Sequence, residues 1–150
     1  MAFLRKAIAA TAVAGMAVAG AAGTAHATTA PPKPVHFTAY GPAVKKVHKK
    51  TIHLQTVTGT VKVTKWTTVT WKAVNKTYNK KTGKGTITVV FTYVPPGGQT
   101  RTTSPVTVKA KGGKTFALPT AHLKWLSVQV WQGKKHGAPV TILGKRPKHA

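Results

Sequence analysis

The side chains of this 150-residue chain that can carry charge near neutral pH are 24 Lys and Arg and seven His; it contains no Asp, no Glu and no Cys. The cations are clustered. Lys45, Lys46, Lys49 and Lys50 surround Val47 and His48; Lys80, Lys81 and Lys84 fall in a polar stretch; Lys134 and Lys135 sit between glycines; and Lys145, Arg146 and Lys148 lie at the C-terminus. A chain of this length ordinarily carries on the order of fifteen carboxylates, so their absence sets the available chemistry. No side-chain ion pair can form, and each cation must be met by water, a carbonyl, an aromatic face or an external anion. The clusters are therefore candidate polyanion-binding residues, acting together through long-range attraction without a dedicated pocket. Any one cluster could equally be a solvated loop or a charged strand edge that blocks aggregation. That reading accounts for lysines but not for the missing acids, because Glu protects an edge equally well.

The same absences exclude most catalysis. Two-carboxylate glycosidase, aspartic-protease and two-metal nuclease sites all need acidic side chains. The two serines, Ser104 and Ser127, lie in neither G-x-S-x-G nor S-x-x-K. We assign no catalytic residue, no cofactor and no metal site, and read the chain as not an enzyme. His48 and His53 are five apart, which on a regular strand sends them to opposite faces, and no carboxylate is present to orient either one toward a metal. Trp125 and Trp131 share a parity opposite to that of Leu126, Val128 and Val130. If those three face the core, the two indoles face outward as a stacking platform for sugars or bases, with Tyr78 as a further member. A bulge or a covering loop would bury one of them instead. Trp71 shares parity with Val69 and Ala73 and belongs to the core, while Trp66 fits no face.

These groups must be positioned by strands. Thr86 to Val94 alternates Ile87, Val89, Phe91 and Tyr93 with Thr86, Thr88 and Thr92, and Pro95-Pro96-Gly97-Gly98 closes it. Further strands are expected over Val35 to Tyr40, from Thr51 through Val63 with Gly59 as a bulge or bend, around Val69 to Ala73, at Val106 to Ala110, at Phe116 to Leu118, over Leu123 to Trp131 and at Val140 to Leu143. Gly112-Gly113 and Gly133 to Gly137 are expected turns. The stretch 75–85 is a polar loop or long hairpin whose Asn75-Lys76-Thr77 matches a glycosylation sequon, relevant only in a eukaryotic host and set aside here. No segment has a sustained helical period. Eight or nine short strands of this kind predict an all-β fold: one β-sandwich, Greek-key or immunoglobulin-like, with a barrel as the alternative.

The first 27 residues read as a secretory signal peptide. Arg5 and Lys6 precede an apolar run from Ala7 to Ala22, and Ala25-His26-Ala27 supplies the cleavage pattern. In composition this leader resembles the export signals of high-GC Gram-positive bacteria. Residues 28–34 form a Thr/Pro-rich extended linker, 35–144 the all-β domain and 145–150 a basic tail expected to fray. The expectation is a secreted bacterial protein, associated with the cell wall, whose partners are anionic polymers of the teichoic type, an anionic envelope surface or extracellular nucleic acid. Two alternatives belong to other classes: an antimicrobial or antagonistic secreted protein, and a carbohydrate-binding β-sandwich using exposed Trp. The secreted form should begin at Thr28. Intact mass of protein recovered from culture medium checks this, and a retained leader contradicts it.

Overall fold

The computed structural model describes residues 32–149; the expected leader, its cleavage site and residues 28–31 of the linker lie outside them. Among the described residues there are twelve strands and no helix. One antiparallel sheet has the order β1 (Val35–Tyr40), β4 (Gln55–Val63), β5 (Thr67–Asn75), β9 (Lys111–Leu118). The other is built on β6 (Ile87–Val94), which pairs with β10 (Trp125–Gln132) on one side and with β7 (Arg101–Thr102) and β8 (Val106–Val108) along the other. The far edge of β10 carries β11 (Lys135–His136) and β12 (Val140–Gly144). β2 (Val44–Val47) and β3 (Lys50–His53) make a separate hairpin between β1 and β4. The sheets face one another as a sandwich and do not close into a barrel.

Alternation dictates which faces meet. Ile87, Val89 and Phe91 of β6 are buried while Thr88, Val90 and Thr92 are half-buried on the opposite face. On β10, Leu126, Val128 and Val130 point into the same core, met from the first sheet by Phe37, Val57, Val61, Val69 and Trp71. Phe91 is at the centre. Its ring lies 5.9 Å from Phe37, 6.0 Å from Trp71 and 5.1 Å from Phe116, all three contributed by the facing sheet. The edge-on contacts with Phe37 and Phe116 are the arrangement that aromatic quadrupoles favour. Threonine fills the outward positions of the first sheet, where Thr115 donates to Thr70 across two strands at 3.1 Å.

Three local expectations are corrected. Gly59 makes no bulge; it lies in register between Phe37 and Trp71, and a side chain there would collide with the Phe37 ring. Gly112-Gly113 is no turn but the start of β9, with Gly112 opposite Ala73 and Gly113 opposite Lys72. The break in the stretch expected from Thr51 through Val63 falls instead at Leu54, which separates β3 from β4, donates to Ala43 O at 3.0 Å and accepts from Lys76 N at 2.8 Å. The lysine-rich run, open between a solvated loop and a strand edge, is accordingly a hairpin.

Phe91→Ala should destabilise the fold by about 3 to 5 kcal/mol, and Thr92→Ala by less than half as much. Denaturant midpoints of the two variants check this; equal losses contradict the burial of the Phe91 face.

Candidate polyanion interface

The registers gather the long connections at one end of the sandwich. Tyr40, Thr56, Val74 and Lys111 form the last cross-strand row of the first sheet at that end. In the second sheet the same end carries the pairs Ile87 with Val108 and Thr88 with Trp131. Four chain segments emerge there: the β2–β3 hairpin, the 76–86 loop, the β8–β9 connection and the β10–β11 hairpin.

A network of neutral side chains, Gln55 and Asn75 buried and Thr77 and Gln132 half-buried, holds the four together. The Thr77 hydroxyl donates to Asn75 Oδ1 at 2.6 Å and accepts from Gln55 Nε2 at 3.0 Å and from Gln132 Nε2 at 2.9 Å. A hydroxyl has one hydrogen and two lone pairs, so Thr77 is saturated. Asn75 Nδ2 donates to Gly85 O at 2.8 Å and to Lys109 O at 2.7 Å, which fixes the 76–86 loop and the β8–β9 connection to β5. Gln55 Oε1 accepts from Ala43 N at 3.1 Å and so holds the base of the β2–β3 hairpin. Gly85, at φ 88°, packs its backbone on Thr77 O where any side chain would collide. Asn75 is 3% exposed and both its amide hydrogens are donated, so the sequon offers no free amide in the folded chain.

On this frame stand twelve lysines: Lys45, Lys46, Lys49 and Lys50 on the hairpin, Lys76, Lys80, Lys81 and Lys84 on the loop, Lys109 and Lys111 at the β8–β9 connection, and Lys134 and Lys135 at the β10–β11 turn. All are exposed. The tip of the β2–β3 hairpin is strained: His48 and Lys49 both adopt positive φ, 47° and 69°, in a two-residue turn that favours Asn and Gly. Aromatic groups are interleaved with the cations. Tyr40 stacks on His53 with centroids 3.8 Å apart, and Trp131, half-buried, lies 4.5 Å from His136. Sequence spacing missed Lys76, Lys109, Lys111 and the Tyr40–His53 stack, because strand register alone brings them here.

The other predicted site residues lie elsewhere. Lys145, Arg146 and Lys148 are at the opposite end, where Pro147, Lys148 and His149 line a cleft with Val94, Gly98, Gln99 and Thr100. The tail thus lies along the Pro-Gly-Gly turn instead of standing free. Trp125 is not an exposed platform. It is 5% exposed, lies beside buried Val94 and donates from Nε1 to Thr141 Oγ1 at 3.1 Å. β12 carries a bulge here: Leu126 faces Leu143 and Ser127 faces Thr141, leaving Ile142 as the extra residue and setting Thr141 opposite Ser127, on the face that Trp125 shares. Trp66, at the β4–β5 turn, is instead the most exposed indole, at 47%. Among the described residues no three histidines come together. Comparison with protein-family models, with curated proteins and with solved structures finds no match to this chain.

Thr77→Val keeps the shape of the side chain but removes the hydroxyl partner of Gln55 Nε2, Gln132 Nε2 and Asn75 Oδ1; Asn75 Oδ1 still accepts from Thr77 N and Gln132 Nε2 still donates to Gly85 O, while Gln55 Nε2 loses its acceptor. The substitution should cost about 2 to 4 kcal/mol, whereas Thr77→Ser, which keeps the hydroxyl, should cost under about 1. Chemical denaturation of both variants decides; equal losses would mean the network does not hold the end together.

Proposed function

We propose that this chain is a secreted, non-enzymatic, strongly cationic β-domain that binds polyanions, and that the loop-bearing end of the sandwich is the surface that does so. The observation that carries the reading is the neutral hydrogen-bond network that holds four lysine-bearing segments at one end of a chain without a single acidic side chain. Bringing like charges together in a folded structure costs repulsion energy that an external anion relieves. Phosphate-rich polymers of a bacterial envelope and extracellular nucleic acid have the required charge density. Selectivity among them is expected to be low, since lysine is a point charge on a flexible stem and not a planar fork.

Neither alternative has comparable support. Each face of the β2–β3 hairpin mixes cationic and apolar residues, Lys45 with Ile52 and Lys50 with Val47 on one face, so it does not separate into the apolar and charged sides that membrane insertion needs. The sugar platform loses Trp125 to the interior.

Thermal melts across a salt series, with polyphosphate or duplex DNA as the probe, test the reading. Moderate salt alone should raise the Tm by screening repulsion, and the polyanion should do so at far lower concentration through mass action. If about six to ten phosphates are neutralised, affinity should fall roughly 10³- to 10⁵-fold between about 50 and 200 mM salt. Salt-insensitive binding, or no stabilisation by either probe, contradicts the proposal.

A further inference from the structure

The two sides of the sandwich are finished differently. At the β1 edge the backbone of Gly137 comes so close to Tyr40 O that a side chain there would collide, so the chain after β11 covers the end of that edge. At the other side β9 is the last strand of its sheet, and among the described residues no strand pairs with its far edge. Register identifies the groups left free. Asn75 N donates to Ala110 O at 2.8 Å, and the pairing runs without a shift from Val74 opposite Lys111 to Thr67 opposite Leu118. Gly112, Lys114, Phe116 and Leu118 therefore exchange backbone hydrogen bonds with β5. The N–H and C=O groups of Lys111, Gly113, Thr115 and Ala117 point away from the sheet, and all four residues are exposed.

An eight-residue edge of this kind is a template for a further strand. A cavity of about 250 Å³ opens beside it, between β9 and the β7–β8 edge, walled in part by Phe91, Val106, Phe116 and Leu118. Lys114 lines it too. That lysine pairs with Trp71 and so has the inward parity of Gly112 and Phe116, yet it is exposed. An inward-pointing cation on an edge strand selects against most pairing partners, a second copy of this chain among them, because that copy is cationic and has no acidic side chain. It selects for an acid. We propose that the β9 edge takes up an extended acidic polypeptide segment as an antiparallel fifth strand, with an apolar side chain opposite Phe116 entering the cavity and a carboxylate side chain opposite Lys114, two residues further on. Main-chain hydrogen bonds supply the affinity and the two side chains the selectivity. The proposal does not rest on the polyanion reading, since a phosphate polymer has no peptide backbone to pair.

The experiment titrates the full chain with a capped Thr-rich peptide in which Leu is followed two positions later by Glu, and follows amide hydrogen exchange. The amides of Gly113, Thr115 and Ala117 should exchange readily in the free protein and about tenfold more slowly when the peptide saturates it. The same peptide N-methylated at the Thr residues beside Leu and Glu keeps its charge but cannot pair, and should bind at least about tenfold more weakly. Replacing the peptide's Glu by Gln should weaken binding about 2- to 5-fold to the natural chain and not at all to Lys114→Gln. Ala117→Pro, whose lost N–H makes no bond to β5, should abolish binding. Equal affinity for the N-methylated peptide would reduce the interaction to charge attraction and overturn the proposal, as would unchanged exchange at the three edge amides. Self-association of the chain that Ala117→Pro removes would assign the edge to a second copy and overturn it equally. Should Ala117→Pro not fold, the N-methylated peptide decides alone.

Discussion

The side-chain network of the loop-bearing end converges on the hydroxyl of Thr77. One donated and two accepted hydrogen bonds join Asn75 at the end of β5, Gln55 at the start of β4 and Gln132 at the end of β10, which belongs to the other sheet. Ion pairs between side chains are one way to tie a crowded polar end. Here no side chain can close one, and amides and a hydroxyl do the same work at no charge. With its buried members fully satisfied, such a network is stiff; partly satisfied, it would be worse than an apolar core. The surrounding geometry protects it, since Gly85 and Gly41 bring the backbone close to Thr77 and Gln55 where a side chain would collide.

That frame gives the charge its meaning. Twelve lysines on flexible, unconnected loops would spread apart and lose their summed field. Held by Asn75 to Gly85 O and Lys109 O, and by Gln55 to Ala43 N, the four segments keep their cations within one surface. The apolar core under Phe91 supplies the stability that the repulsion removes. The strained turn at His48 and Lys49 fits the same pattern, because strain persists where the surrounding structure over-determines a conformation. The frame and the charge are therefore complementary: a neutral scaffold bears the cost of a surface whose only counter-charge is external.

The sheet architecture was legible in the sequence because strand parity is a local signal. Ile87, Val89 and Phe91, or Leu126, Val128 and Val130, declare a buried face within a few residues. What escaped that reading is non-local. Gly112 and Gly113 carry turn chemistry, yet continue a strand because β5 offers them a full ladder. Trp125 has outward parity, yet it is buried and bonded to Thr141 of β12, sixteen positions away in the chain. The network was hidden for the same reason: Gln55, Thr77 and Gln132 are unremarkable polar residues until three different strands end beside one another. The lysine clusters were visible, but not that register assembles some of them at one end and leaves the C-terminal cluster at the other.

The central claim is that a polyanion meets this protein at the loop-bearing end. Backbone amide chemical-shift mapping during titration with a short polyphosphate chain tests it most directly. The account predicts shifts concentrated at residues 45–50, 76–84, 109–111 and 134–135, with little change at Lys62, Lys65, Lys124 and Lys145. A uniform response across every lysine-bearing segment, or a footprint centred on the C-terminal tail, would contradict it.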